Sequence, residues 1–290
     1  MNQFGGHWTE KKMEIVTSYA KAYLTIMKDQ EWAKTIYFDG FAGSGSIEQD
    51  LIIEEMPRNT LFGDIIPEYL KPKTQQDRVM KGTAMRILDI IEPKPFDIYY
   101  FVEKNEKYCS ELLHQIKINY PDKRNAHVVN KDCNEKLLSL ANYLKQNKEF
   151  RTLAFIDPYG MSVEWSSIEA LKGLGVDLWI LVPTGVGPNR LLVNDGNIRE
   201  NWLQKLEVFL GMERDEIKSL FYRKQPGYSN LFGENIFPQD LIKDEDTVNK
   251  LGKLYSKRLK EVFKYVSEPF VMRNSKNSIM YHFIDRKSVV

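Results

Sequence analysis

Four acidic residues stand where apolar, strand-like segments of the chain finish, and together they suggest one ligand site. Asp39, Glu103 and Asp157 come at the ends of such segments, and Asp132 comes shortly after a shorter one. The carboxyl ends of adjacent parallel strands lie about 5 Å apart. We therefore expect the four carboxylates to rim one cleft. Each acid taken alone also fits a helix cap or a solvated turn.

A glycine-rich turn follows the first of these segments and predicts a second wall for the cleft. Residues 36–48 read I-Y-F-D-G-F-A-G-S-G-S-I-E. Glycine has no Cβ and tolerates positive φ, so the backbone at Gly43 and Gly45 can approach a ligand closely. In open α/β sheets, ligands bind beyond the carboxyl ends of the strands. The pattern favours a nucleotide-type cofactor pocket over a tight turn without a ligand.

The order of the acids suggests what each can bind. An acid after the second strand of such a sheet suits a ribose diol, which needs an acceptor for its hydroxyls; here this is Glu103. Asp132, after the third strand, can accept a hydrogen bond from an adenine amino group. Asp39 can either orient the glycine-rich turn or meet a cationic group of the ligand.

The elements that must position these acids alternate between strand and helix, which predicts an α/β fold. Strand segments are expected at 36–38, 96–102, 127–129, 152–156 and 177–182. Helical segments between them imply right-handed crossovers and a parallel sheet. Two later apolar runs around a polar turn, 269–272 and 279–284, predict a hairpin. We thus expect a Rossmann-like, seven-stranded, mostly parallel sheet with one antiparallel strand.

The same pattern suggests a division of the chain. We expect an N-terminal helical segment over residues 1–30, a core over 31–185 and 265–290, and a helical insertion or cap over 186–264. Residues 47–81 hold three prolines and little periodicity. A stretch of this length without regular structure is usually functional or mobile in a compact domain, so it is a possible lid.

Composition excludes several classes of protein. The 290 residues carry a net charge of +1, so any nucleic-acid surface must be a local patch. Cys109, Cys133 and the four histidines show no metal-ligand spacing, so no metal site is expected. The sequence starts without an apolar leader and contains no run of about 18 apolar residues, so we expect a cytoplasmic protein without a membrane span.

The ordered motifs resemble those of class I S-adenosylmethionine-dependent methyltransferases. The motifs that carry this resemblance are D-G-F-A-G-S-G, F-V-E-K-N, K-D-C-N and F-I-D-P-Y-G. F-A-G-S-G and V-E-K are especially similar to the nucleic-acid guanine N2 and adenine N6 methyltransferases. The resemblance implies a class I methyltransferase fold and S-adenosylmethionine as the cofactor.

A longer set of motifs, from Phe4 to Phe283, resembles the bacterial three-Cys-motif partner (TcmP) family. It comprises F-G-G-H-W-T-E-K-K, D-P-Y-G-M, W-I-L-V-P, G-V-G-P-N-R-L-L and R-N-S followed by Y-H-F. The name of that family implies a partner protein with a three-cysteine motif. It does not specify a methyl acceptor.

The resemblance also implies which residues bind the cofactor. The expected residues are Asp39, Phe41, Gly43 and Gly45 around the methionine part, Glu103 with its neighbour Lys104 at the ribose, and Asp132 and Cys133 at the adenine.

The segment D-P-Y-G is expected to hold the methyl acceptor. By resemblance, Asp157, Pro158 and Tyr159 form a target-base site, in which polar groups accept from an exocyclic amine and the aromatic ring stacks on a flipped base. Amino-methyltransferases usually have (D/N/S)-P-P-(Y/F/W) here. The second proline is missing, which weakens the case for adenine N6 and is closer to tRNA guanine N2-dimethyltransferases.

Three further residues are expected to contact a substrate. His7 and Trp8 either cover the first turn of a helix or reach over the ligand. Arg190 follows the fifth strand near the cleft and is the basic residue we expect to meet a nucleic acid. Charge elsewhere is typical of a solvated face; the other basic candidates are Lys11, Lys12, Arg223, Lys224, Arg273 and Lys276.

Three functions compete at this point. The first is a methyltransferase acting on an exocyclic amine of a nucleic-acid base. The second is a non-catalytic methyltransferase-fold subunit of a three-Cys-motif protein, which the missing proline favours. The third is an NAD-type enzyme, which is weak because F-A-G-S-G lacks the third glycine of the dinucleotide fingerprint.

Overall fold

The computed structural model of the chain describes residues 7–48, 79–224, 228–229, 235–236, 241–274 and 276–287. The helices in these ranges are α1 His7–Met27, α2 Thr83–Leu88, α3 Glu106–Asn119, α4 Cys133–Gln146, α5 Trp165–Glu169, α6 Pro188–Leu191, α7 Glu200–Leu210, α8 Arg214–Phe221 and α9 Thr247–Val262. Most of the predicted 47–81 insertion lies outside the described residues.

The strands in the same ranges include a long strand near the end of the chain. They are β1 Lys34–Asp39, β2 Ser46–Glu48, β3 Val79–Lys81, β4 Ile98–Val102, β5 Ala126–Val129, β6 Phe150–Ile156, β7 Val176–Val182, β8 Tyr222–Lys224, β9 Tyr228–Ser229, β10 Asn235–Ile236, β11 Leu241–Lys243, β12 Tyr265–Val266, β13 Phe270–Arg273 and β14 Ile279–Lys287.

The predicted Rossmann-like α/β architecture with a mostly parallel sheet is confirmed. The main sheet has eight strands among the described residues, one more than the sequence predicted. The additional strand is the short β12. The chain divides into two compact units, residues 1–132 and 133–290.

The first unit contains β1, β4 and β5 as neighbouring parallel strands. Asp39, the last residue of β1, is paired with Phe101 of β4, and Val102 of β4 is paired with Val129 of β5. The strands are rich in buried aromatic residues, including Tyr37 and Phe101, as expected for a sheet covered on both faces. The register therefore brings the carboxyl ends of the three strands to one edge.

Helices α1 and α2 of the first unit are joined by an ion pair. The Arg86 Nη2 atom donates to both carboxylate oxygens of Glu10, at 2.8 and 2.9 Å. A two-point contact of this kind fixes the orientation of the side chains as well as their separation.

The second unit contains β6 and β7 in parallel and β14 antiparallel to β7. Ile156 is paired with Ile180, and Phe283 is paired with Leu181. Strands β12 and β13 are both antiparallel to β14, so they run in the direction of β7. Among the described strands that this unit contributes to the main sheet, β14 alone runs in the opposite direction, as the hairpin pattern predicted.

The region from 186 to 264, expected as a helical insertion or cap, holds helices α6, α7, α8 and α9 among its described residues. It also contains two short antiparallel ladders, β8 with β11 and β9 with β10, which the sequence did not predict. Helix α9 ends at Val262, and residues 265–266 join the sheet as β12.

The described ranges contain neither a helix that could span a membrane nor a cluster that could bind a metal. None of the helices described is long and apolar enough to cross a lipid bilayer. No group of three or more His, Cys, Asp or Glu side chains in the described part of the chain is placed to hold a metal ion.

Candidate functional site

The buried carboxylate of Glu103 joins the two segments that the sequence placed around a cofactor. Glu103 follows β4 directly and is only 6% exposed. Its Oε2 atom accepts a hydrogen bond from the Gly43 backbone N–H at 2.9 Å. Its Oε1 atom accepts from the Asn105 N–H at 2.7 Å. The structure therefore brings Gly43 and Glu103 together within the first unit.

The start of α3 fixes the position of this carboxylate. The Asn105 side chain accepts a hydrogen bond from the Tyr108 N–H at 3.2 Å and caps the helix. The Asn130 side-chain amide donates to the backbone carbonyls of Glu103 and Lys104, at 3.0 and 2.9 Å. Both contacts restrain the backbone on either side of Glu103.

Asp39 shapes the first turn of the glycine-rich loop. It is 1% exposed, and its Oδ1 atom accepts from the Phe41 N–H at 3.1 Å. Burial, and then the Asp39 carboxylate, raise the pKa of the Tyr37 hydroxyl well above its ordinary value. Of the two roles expected for Asp39, orientation of the loop is the one these contacts support.

The two glycines of the loop have different roles. Both lie in the left-handed region, with φ of 62° at Gly43 and 80° at Gly45, which favours glycine. A Cβ at Gly45 would lie 2.7 Å from Leu112 Cδ1 and 3.3 Å from the Met85 sulfur. Gly45 is thus required for packing on α2 and α3, whereas Gly43 presents its N–H to Glu103.

Lys104 and Asp132 form an ion pair at the same edge of the first unit. Lys104 Nζ lies 3.1 Å from Asp132 Oδ2, and the side chains are 78% and 38% exposed. An exposed pair contributes only about 0–1 kcal/mol, so a ligand can replace either partner at little cost. Cys133, the expected neighbour of Asp132, begins α4 in the second unit and is buried.

The Glu103 carboxylate can accept more hydrogen bonds than the two it receives from backbone N–H groups. An ionised carboxylate offers about four lone-pair sites, and the two backbone N–H groups use one site on each oxygen. The residues therefore fit a ligand that presents hydroxyl donors at this position.

The D-P-Y-G segment leaves the end of β6 in the second unit. Asp157 is half-buried and Pro158 is buried, whereas Tyr159 is 58% exposed. Gly160 adopts φ of 59° and ends the segment in a left-handed turn. This arrangement presents a carboxylate and an aromatic ring from positions two residues apart.

Tyr281 lies beside this segment and was missed as a site residue by sequence reasoning. Strand pairing places Asp157 level with Leu181, which is itself paired with Phe283. Tyr281 is two residues from Phe283 and so shares the face of Asp157. Burial and then the Asp157 carboxylate raise the pKa of Tyr281, and Arg190 opposes them. Its only sequence signal was its place in the Y-H-F motif.

The loop after β7 is packed tightly on the start of β14. The Gly185 N–H donates to the Met280 carbonyl at 3.0 Å, and a Cβ at Gly185 would lie 1.9 Å from the Ile279 carbonyl oxygen. The Thr184 Oγ1 and His282 Nδ1 atoms are 2.7 Å apart. This packing sets the direction of α6, which carries the exposed Arg190.

The predictions for His7 and Trp8 stay untested. Both residues lie in the first turn of α1, and their side chains are outside the described part of the structure. The backbone N–H of Phe41 donates a hydrogen bond to Asp39, and this is the contact that connects Phe41 to the loop.

No family model matches the chain, and no curated protein matches it. Several solved structures do. Protein LPL1258 of Legionella pneumophila is 16% identical, with a TM-score of 0.40, over 95% of this chain and 96% of that chain. The protein yhhF of Escherichia coli, assigned as a methyltransferase, is 12% identical, with a TM-score of 0.29, over 93% and 87%.

Another match is Trm1 of Pyrococcus horikoshii, solved with S-adenosyl-L-methionine. It is 10% identical, with a TM-score of 0.34, over 96% of this chain and 64% of that chain. The strand arrangement gives this chain the Rossmann-like fold of class I methyltransferases, as expected from the sequence.

Proposed function

We propose that this protein is an S-adenosylmethionine-dependent methyltransferase that modifies an exocyclic amine of a nucleic-acid base. The observation that supports this most strongly is the buried Glu103 carboxylate, which accepts from the glycine loop at Gly43 and retains lone pairs for ligand hydroxyls. An acid in this position suits the ribose of a nucleotide-type cofactor.

Different residues of the first unit bind different parts of the cofactor. Glu103 accepts hydrogen bonds from the ribose hydroxyls. Asp132 exchanges its ion pair with Lys104 for a hydrogen bond from the adenine amine. Asp39 holds the loop that contains Phe41, Gly43 and Gly45 in shape for the methionine part. When bound, the cofactor supplies an electrophilic methyl group on a sulfonium. Methyl transfer then depends mainly on alignment and electrostatic placement.

The residues of the second unit hold the methyl acceptor. Asp157 and a backbone carbonyl of D-P-Y-G accept hydrogen bonds from the amine, which orients its lone pair toward the methyl group. Pro158 restricts the backbone of the segment. Tyr159, with its ring 58% exposed, stacks on a flipped base. Arg190 on α6 contacts the nucleic acid.

The length of the motif favours one acceptor base over the other. D-P-Y-G has one proline where adenine N6 methyltransferases usually have two, so we place guanine N2 in RNA ahead of adenine N6 in DNA or RNA. Both acceptors belong in the test.

A second candidate is a non-catalytic methyltransferase-fold subunit. We propose membership of the three-Cys-motif partner family on the motifs quoted above, which implies a partner protein with a three-cysteine motif. The missing proline is the feature that favours a subunit without its own activity. A methyl group transferred by the chain alone excludes this candidate.

Transfer of tritium from methyl-labelled S-adenosylmethionine tests the proposal. Total bacterial RNA, genomic DNA and a co-expressed partner serve as acceptors. We expect label in nucleic acid with the wild type, and loss of at least about 100-fold with Asp157→Ala, a size typical of a group that aligns or activates a nucleophile. Glu164→Ala, at an exposed position nearby, should transfer normally. Equal transfer by both variants, or no label in any acceptor, contradicts the proposal.

A further inference from the structure

Helix α9 carries a stripe of exposed lysines along its whole length. Lys250, Lys253, Lys257 and Lys260 are all exposed, and they are separated by three or four residues. This spacing puts them on one side of the helix with successive Cβ atoms about 5–6 Å apart. At 1.5 Å per residue the stripe extends about 15 Å.

The stripe is not balanced by acidic residues of the same helix. Helix α9 has five basic residues and one acidic residue, Glu261. Lys250 is paired with Asp244. For Lys253, Lys257 and Lys260, no ion pair occurs within the described part of the chain. Like charges three or four residues apart destabilise a helix, so the stripe weakens α9 unless an anion faces it.

The opposite face of α9 is already occupied by the core of the second unit. Leu251, Tyr255, Leu259 and Val262 are buried. A Cβ at Gly252 would lie 2.5 Å from His282 Nε2, so the helix packs closely on β14. A surface helix that inserts into a membrane needs a free apolar face. The stripe therefore suits an anion that meets α9 from solvent.

The stripe begins near the proposed acceptor site and runs away from it. Helix α9 contacts both α6, which carries Arg190, and β14, which carries Tyr281. Its far end lies by β12. There, the exposed Lys260 and Lys264 line a shallow cavity of about 470 Å³, whose wall also includes Asp285 and the buried Arg286. A long polyanion can follow this line from Arg190 to Lys264.

We infer that the lysine stripe of α9 binds the phosphodiester backbone of the nucleic acid that carries the acceptor base. The inference rests on the proposed function. Phosphate contacts by lysine position a nucleic acid without reading its sequence, and each contact releases counterions and steepens the salt dependence of binding. RNA and DNA present the same chemistry to the stripe.

Binding of fluorescein-labelled nucleic acid to the full chain tests this inference without cofactor. The probes are a 30-nucleotide RNA hairpin and a 30-base-pair DNA duplex, followed by anisotropy across a salt series. The plot of log K against log salt has a negative slope. We expect the triple variant Lys253→Glu/Lys257→Glu/Lys260→Glu to make this slope shallower by about three. Affinity at 100 mM salt should fall by at least about tenfold.

A control variant carries the same change of charge elsewhere. Lys107, Lys117 and Lys145 are exposed on α3 and α4, and Lys107→Glu/Lys117→Glu/Lys145→Glu should keep the wild-type slope. Circular dichroism melts of both variants verify that they are folded. The probe that loses more affinity, RNA or DNA, identifies the backbone that the stripe meets.

Three results would overturn the inference: equal losses in the stripe and control variants, no binding of either probe at low salt, or, with phosphatidylserine vesicles added as a third probe, binding to the vesicles alone. Failure of the proposed function is separate. If the stripe variant loses affinity while the wild type transfers no methyl group, the stripe stands and the methyltransferase proposal falls.

Discussion

The Gly43 N–H donates to Glu103 Oε2 across 2.9 Å and joins residues that are 60 positions apart in the sequence. The bond ties the loop after β1 to the end of β4. Because Glu103 is buried, the bond is shielded from water and is stronger than an exposed one. The same carboxylate thus shapes the loop and offers its remaining lone pairs to a ligand.

Glu103→Gln should weaken cofactor binding and also destabilise the fold. The amide NH₂ group must face either the Gly43 or the Asn105 N–H, which leaves two donors opposed. An unsatisfied buried group costs about 1–3 kcal/mol, so we expect a similar loss in the free energy of unfolding. Affinity for S-adenosylmethionine should fall by about tenfold or more.

Calorimetry and urea denaturation measure the two effects. Glu106→Gln, at an exposed position in the first turn of α3, is the matched control and should leave both unchanged. If Glu103→Gln binds S-adenosylmethionine with wild-type affinity, Glu103 does not contact the cofactor.

Gly45→Ala should destabilise the protein more than Gly173→Ala. Both glycines have positive φ, 80° and 74°, but a Cβ at Gly45 meets Leu112 at 2.7 Å, whereas nothing lies within 4 Å of one at Gly173. The left-handed backbone costs each variant about 1–2 kcal/mol, and overpacking adds about 1–3 kcal/mol at Gly45. Urea unfolding of both variants gives the comparison. Equal losses in the free energy of unfolding would show that the Leu112 side chain moves aside at no cost.

Protonation of His282 should make the protein less stable in weak acid. Burial, with Arg273 adding to it, lowers the pKa of His282 to about 4, against about 6.5 in an unfolded chain. The unfolded state therefore binds a proton between these values that the native state does not. Stability is complete above about pH 6.5 and falls as the pH decreases toward 4, by up to about 3 kcal/mol.

Urea denaturation between pH 7.5 and 4.5 follows this loss. In His282→Gln the fall over that window should be smaller than in the wild type. His114→Gln, at an exposed position of α3, should retain the wild-type dependence. An unchanged dependence in His282→Gln would assign the acid sensitivity to other groups.

Tyr281→Phe should reduce methyl transfer and leave cofactor binding intact. The Tyr281 hydroxyl is protonated at neutral pH, as in any tyrosine of ordinary or raised pKa, so it can donate a hydrogen bond near Asp157. A hydrogen bond to a charged group contributes about 1.5–3 kcal/mol, which corresponds to roughly 10–100-fold in rate. Tyr143→Phe, on the exposed side of α4, is the control, and equal transfer rates in the two variants would contradict a role for Tyr281.

Local sequence patterns were sufficient to predict where several acidic residues of the candidate site lie in the fold. The alternation of apolar strands with helices placed Asp39, Glu103 and Asp157 at strand ends, because each strand signal is contained in a few neighbouring residues. The Asn105 cap could be predicted for the same reason, since its acceptor and donor are three residues apart.

The remaining features depend on contacts between distant segments. Tyr281 reaches the face of Asp157 only through the register of β14 on β7, which no local pattern specifies. The packing role of Gly45 depends on Leu112 of another helix. Residues 265–266 continue a helical pattern, but pairing with β14 takes them into the sheet.

Titration calorimetry of the wild-type protein with S-adenosylmethionine tests the proposed cofactor site most directly. We predict saturable binding to one site, weakened by Glu103→Gln and unchanged by Glu106→Gln. No detectable binding by the folded wild type at millimolar cofactor would contradict the assignment of Asp39, Glu103 and Asp132 to a cofactor cleft.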